Sequence, residues 1–129
     1  MILVTCAIIE NEQKVLCAQR SETMHLPLKW EFPGGKVNKG EELESCLERE
    51  IKEELGIEIN IIERLPSNKH IYSQSKSIEL IPFRCSLQTS EIELKEHLKI
   101  EWVALHDLNT LDWAAADIPI VQYYIQRYQ

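Results

Sequence analysis

The chain has 129 residues, 44% apolar and 27% charged, with 14 basic against 21 acidic side chains and a formal net charge of −7 at neutral pH. That length suffices for one domain with a real core across residues 1–129 and not for two, in an ordinary globular composition. The acidic balance excludes nucleic acid as the main partner, because sequence-independent binding needs clustered Lys and Arg.

Residues 2 to 9 are β-branched and apolar, Glu10-Asn11-Glu12-Gln13 make a polar turn, and 14 to 20 resume as Val15-Leu16-Cys17-Ala18, which predicts a hairpin. No positive region precedes Met1-Ile2-Leu3-Val4-Thr5, which turns polar by Glu10 and so does not read as a signal peptide. No apolar run reaches membrane-spanning length, so a cytoplasmic protein without membrane contact is expected. Residues 21 to 30 form a loop containing Pro27, and Trp30-Glu31-Phe32 is a short extended piece that the turn Pro33-Gly34-Gly35 terminates.

A helix is predicted from Glu42 to Leu55, stopped by Gly56. Residues 57 to 63, 68 to 74 and 77 to 87 read as strands, with Pro66 and the Ser-rich segment at 73 to 77 as breaks. Residues 91 to 97 form a charged connection before a strand at 99 to 105. Asp117 and Pro119 open a last helix with Ile118, Val121, Tyr124, Ile125 and Tyr128 available for packing. For Tyr123, Tyr124 and Tyr128 both core and interface positions remain open. Strands, helix, strands, helix make an α/β fold, read as an α/β/α sandwich on a mixed sheet.

Cysteines 6, 17, 46 and 85 show no C-x-x-C pairing and read as reduced, buried thiols of a cytosolic protein. His25, His70, His97 and His106 likewise lack ligand spacing.

The predicted central helix crowds its face with carboxylates, and like charges at i,i+3 and i,i+4 repel by a few tenths of a kcal/mol per pair. At about 100° per residue, Leu43, Cys46, Leu47, Ile51 and Leu55 define an apolar arc. Glu50 and Glu54 fall inside that arc and Glu53 at its edge, whereas Glu41, Glu48 and Lys52 fall toward solvent. A solvated glutamate face would not place carboxylates on the buried side, where an ionised, unpaired group is costly. A bound Mg²⁺ is the economical partner, held by one or two carboxylates, waters and substrate phosphate oxygens. Arg49 precedes Glu53 by one turn and can orient its carboxylate.

Gly35, Glu41, Arg49, Glu50, Ile51, Glu53, Glu54, Gly56 and Ile57 fit the pattern G-x5-E-x7-R-E-U-x-E-E-x-G-U, with U a bulky aliphatic, at every specified position. The chain thereby resembles the Nudix hydrolases. The resemblance implies their α/β/α fold and hydrolysis of a pyrophosphate bond in a nucleoside diphosphate derivative, with Mg²⁺ or Mn²⁺ as cofactor. By motif position it implies Glu50, Glu53 and Glu54 as metal ligands, the Gly35 carbonyl as a further one, and Arg49 as their orienting partner.

Trp30-Glu31-Phe32-Pro33-Gly34-Gly35-Lys36, Glu101-Trp102 and Ala115-Ala116-Asp117-Ile118-Pro119 extend the resemblance to the MutT-like branch over nearly the whole chain. That branch converts nucleoside triphosphates to the monophosphate and pyrophosphate by water attack on the β-phosphorus. The resemblance implies that Glu96, five residues before the Glu-Trp pair, approaches the metal cluster; its alternative is a solvated loop charge. It implies that Arg20, and more weakly Lys76, contact the nucleotide. Lys36 is either a phosphate partner or a solvated lysine. The metal ions are expected to bridge the triphosphate and acidify a water, with Glu53 or Glu50 as general base.

Asp117 stands where an N-cap is expected, and the resemblance also places the base-reading residue there. The type tuned to 8-oxo-guanine has asparagine at this position; aspartate matches the CTP pyrophosphohydrolase-like type. An ionised carboxylate only accepts hydrogen bonds, which favours the cytosine amine and disfavours guanine unless oxidation turns N7 into a donor. The expected substrates are (d)CTP, 5-substituted cytosine or oxidised purine nucleotides, in nucleotide-pool sanitation by a monomer or homodimer. The alternatives are hydrolysis of ADP-ribose or a dinucleoside polyphosphate, and a non-catalytic nucleotide sensor, which the intact motif disfavours.

Overall fold

A computed structural model describes residues 1–89 and 91–129 of the chain. The first hairpin forms as expected, β1 (Ile2–Asn11) and β2 (Lys14–Gln19), across a tight turn in which Glu12 and Gln13 both take positive φ. Paired positive φ values match the right-handed twist of the strands they join.

The two strands pair with each other only beside the turn, through Glu10 with Val15 and Asn11 with Lys14. Beyond it they part, and the segment after the 21–29 loop fills the fork: β3 (Trp30–Glu31) pairs with β2, and β4 (Gly34–Lys36) with β1. The predicted glycine turn is therefore a strand. A side chain at Gly34 would collide with the backbone of Thr5 and Cys6, so glycine here permits close approach of two strands rather than reversal of the chain.

Helix α1 (Leu43–Leu55) follows, closed by Gly56 in the left-handed conformation with its N–H on the Lys52 carbonyl. Then come β5 (Ile59–Arg64), β6 (Asn68–Ser73), β7 (Lys76–Leu87) and β8 (Lys99–Ala104), two short 3₁₀ turns at Leu105–Thr110 and Ala115–Asp117, and α2 (Ile118–Tyr128). The sheet is mixed: β7 runs parallel to β1, and the other strand pairings are antiparallel. The 3₁₀ turns escape a reading based on helix periodicity because neither presents a repeating face.

Alternation along β1 sends Ala7 and Ile9 to one face and Cys6 and Ile8 to the other. The first face packs on Leu47, Ile51 and Leu55 of α1, the second on Ile120, Val121 and Tyr124 of α2, which completes the expected sandwich. Burying such a side chain contributes about 1.5–3 kcal/mol. Tyr124 is a core residue whose hydroxyl donates to Glu10, and Tyr128 packs at the edge of the same cluster, donating to Glu63. No helix among the described residues is long and apolar enough to cross a membrane, and all four cysteines are free and buried.

Candidate active site

The fork in the sheet and the N-terminal half of α1 bring the motif residues together. Gly35 on β4 lies against α1 so closely that a Cβ would occupy the space of the Glu50 carboxylate. Its carbonyl accepts from the Thr5 hydroxyl at 3.3 Å, and the Cys46 thiol lies 3.7 Å away, pinning loop to helix.

Arg49 organises the carboxylates. Its Nε and Nη2 donate to the two oxygens of Glu41 at 2.8 and 3.0 Å, its Nη1 to Glu50 at 2.9 Å and to Glu53 at 3.3 Å, and Nη2 also reaches the Lys36 carbonyl at 3.2 Å. Glu41 thus faces Arg49 rather than solvent, contrary to its place on the helical wheel. It precedes α1, where helical angles do not apply, and it also accepts the Asn38 N–H. The hydrogen bonds from Arg49 hold its carboxyl down at about 2.

Glu50 is mostly shielded and desolvation raises its pKa, while the Glu53 side chain remains 59% exposed. Glu54 reaches furthest inward: its Oε2 is buried with no hydrogen-bond partner. Burial, reinforced by the charges of Glu31, Glu50 and Glu96, pushes its carboxyl up to about 9 against an opposing backbone hydrogen bond from Gly34. A buried carboxylate oxygen without a donor, among carboxylates, is a donor set for a hard divalent cation. Among the described residues no three such groups already converge as a ready cage, because Arg49 draws Glu50 and Glu53 to itself. Glu96 is exposed, yet its charge is felt at Glu54.

A cavity of about 230 Å³ is lined by Gly35, Lys36 and Glu54 of this acidic cluster and also by Asp117. Arg20, Lys76, His25 and Tyr72 line it as well. Arg20 is held by an ion pair with Glu31 at 2.8 Å and by the His25 carbonyl, and Lys76 lies 5.3 Å from the Tyr72 ring centre. The cations therefore share the cavity with the acidic cluster.

Asp117 does not cap α2: its backbone is helical and its side chain makes no capping bond. Its Oδ2 instead accepts the Phe32 backbone N–H at 3.0 Å, across the sheet. Burial, with the nearby Glu31 charge, raises its pKa well above the usual carboxylate range. That burial works against the ionised, acceptor-only form on which the expected disfavouring of guanine was argued.

Two contributors carried no signal of their own in the sequence. Glu31 sits between two core aromatics on β3, and its second oxygen lies 2.7 Å from Nε2 of the buried His97. A glutamate flanked by Trp30 and Phe32 was the available clue.

The chain as a whole is similar to known proteins over nearly its full length. The model of the NUDIX domain matches residues 2–124. A CTP pyrophosphohydrolase of Escherichia coli K12 is 34% identical, over 97% of this chain and 92% of its own length. A putative 8-oxo-dGTP diphosphatase 2 of Mycobacterium tuberculosis is 34% identical over 90% of this chain and 82% of its own. The solution structure of a MutT protein from methicillin-resistant Staphylococcus aureus 252, of 42% identity, superposes with a TM-score of 0.79 over 98% of this chain and 96% of that one. With its signature folded around a single acidic pocket and a family model spanning nearly its whole length, the chain belongs to the Nudix hydrolases and is a pyrophosphohydrolase.

Proposed function

We propose that this protein, as one catalytic domain across residues 1–129, hydrolyses nucleoside triphosphates to the monophosphate and pyrophosphate. We take the substrates to be (d)CTP, 5-substituted cytosine nucleotides or oxidised purine nucleotides, and the role to be pool sanitation. The observation that carries this reading is that Glu54, Gly35 and Asp117 line one cavity together with Arg20, Lys36 and Lys76. The names of the two relatives support the choice of bases. Four free thiols suit a cytoplasmic setting.

Glu50, Glu53, Glu54, the Gly35 carbonyl and Glu96 are the residues that would hold Mg²⁺ or Mn²⁺, and the orphaned Glu54 oxygen fits such an ion. When bound, the ion neutralises triphosphate charge and acidifies water. Lys36, Arg20 and Lys76 attract the polyphosphate into an otherwise acidic pocket. Glu53, more exposed than Glu50 and Glu54, takes the proton of the attacking water in this reading, with Arg49 fixing its orientation.

Burial of Asp117 favours its protonated form, and a protonated carboxyl both donates and accepts. Its protonated oxygen can donate to cytosine N3 while the other accepts from the exocyclic amine. Because a neutral carboxyl also matches other bases, discrimination rests on the whole pocket, including Phe32, Tyr72 and Met24. The test is hydrolysis with Mg²⁺, read as pyrophosphate release from dCTP, 5-methyl-dCTP, 5-hydroxy-dCTP, 8-oxo-dGTP and dGTP, and as AMP and ribose 5-phosphate formed from ADP-ribose. Preference for cytosine or oxidised bases is expected; turnover confined to ADP-ribose would discard the substrate assignment.

A further inference from the structure

The segment 91–98 lies on the surface, and His97 is its one buried residue. It is pinned on either side of Glu96. The Glu93 N–H donates to the Leu55 carbonyl at 2.8 Å, at the C-terminus of the glutamate-bearing helix, and the Leu98 N–H donates to Gln19 at 2.9 Å. Between these backbone anchors, the His97 side chain is 1% exposed and its Nε2 sits 2.7 Å from Glu31 Oε2. Nδ1 is buried without a partner. Facing a carboxylate, Nε2 is the donor, and Glu31 itself lines the cavity, so the ring ties the segment to the wall of the site; the residue immediately before it is Glu96.

We propose that His97 is a positioning residue: by anchoring the 91–98 segment to Glu31, it holds Glu96 toward the acidic cluster. Ile92 also packs against the α1 side of the core, but it lies four residues from Glu96, whereas His97 is its immediate neighbour. Glu31 in turn is fixed by Arg20 on its other oxygen, so the anchor point is itself rigid. The inference rests on the reading of Glu96 as part of the metal site.

The experiment measures Mn²⁺ binding to the full chain without nucleotide, by the electron paramagnetic resonance signal of free Mn²⁺, together with kcat and KM for dCTP. His97→Ala is expected to weaken Mn²⁺ about tenfold, in the range for loss of a supporting partner, and to lower kcat with KM within about twofold. Glu96→Gln should do the same, and the double variant should be no worse than either single one. His97→Gln, which keeps a donor near the Nε2 position, should recover most of the loss.

Unchanged Mn²⁺ affinity in Glu96→Gln, an exposed change that leaves the core intact, overturns the proposal whether or not His97→Ala folds. Additive losses in the double variant overturn it as well. Glu54→Gln separates the two readings: lost Mn²⁺ binding there with full binding in Glu96→Gln keeps the metal site and discards the anchor, whereas full binding in both discards the metal site.

Discussion

Asp117 and Phe32 are joined across 85 positions of sequence by one hydrogen bond, the Phe32 N–H to Asp117 Oδ2 at 3.0 Å, and it fixes one wall of the cavity. Asp117→Asn keeps an acceptor for that N–H and, if the native carboxyl is neutral, a donor for the base as well. Its kcat/KM for the preferred nucleotide should stay within about threefold, while Asp117→Ala should lose tenfold or more, about 1.4 kcal/mol per tenfold. Equal losses in both variants would show that the working form is the ionised one.

Gly35→Ala inserts a methyl group where the Glu50 carboxylate lies. The side chain must move, and with it one arm of the Arg49 network. We expect kcat to fall about 100-fold, in line with displacement of a reacting group by about 1 Å. Circular dichroism should show an intact fold, since Gly35 has an ordinary negative φ.

Arg49→Lys tests the fork geometry directly. Lysine keeps the charge but cannot donate at once to Glu41, Glu50, Glu53 and the Lys36 carbonyl, which the guanidinium does from three nitrogens. A loss of about 10- to 100-fold in kcat is expected. Near-normal turnover would mean that charge alone suffices.

Glu54 makes the metal-free protein sensitive to pH. Its folded pKa of about 9 lies above the unfolded value of 4.5, so between those values the native state binds more protons than the unfolded one. Stability therefore falls as pH rises across that window. Glu54→Gln should flatten the dependence and stabilise the metal-free protein at alkaline pH by on the order of 1–3 kcal/mol, seen as a higher melting temperature. Adding Mg²⁺ should stabilise the wild type and not this variant; calorimetry at pH 6 and pH 8.5 reads both effects.

Much of this site was legible in the sequence because spacing on one helix fixes direction. Glu50 and Glu54 fell inside the apolar arc, and both turn inward. The errors lie where one side chain answers to a distant partner. Glu41 was judged by a wheel that ends at the helix it precedes, and Asp117 was given a local capping role although its partner sits 85 residues away. Gly34 was read as a turn because glycine's value in a close strand approach is invisible without the neighbouring strand. His97 has no ligand spacing because it acts through Glu31, a pairing set by the tertiary fold.

The fork between β1 and β2 also sets a length. Phe32, whose N–H donates to Asp117, and Gly35, beside the helix carboxylates, lie three residues apart across a bend at Pro33. They are therefore about 10 Å apart at most along the chain, at roughly 3.3–3.6 Å per residue. That stretch is a ruler built from backbone, clamped to β1 through the Pro33 carbonyl and the Ala7 N–H at 2.8 Å. If Asp117 reads the base as proposed, substitutions at 117 or around Tyr72 should change which base is read without changing which phosphorus is presented to the acidic cluster. Insertion of a single residue between Phe32 and Gly35 would do the reverse, moving the cut while leaving the reading intact.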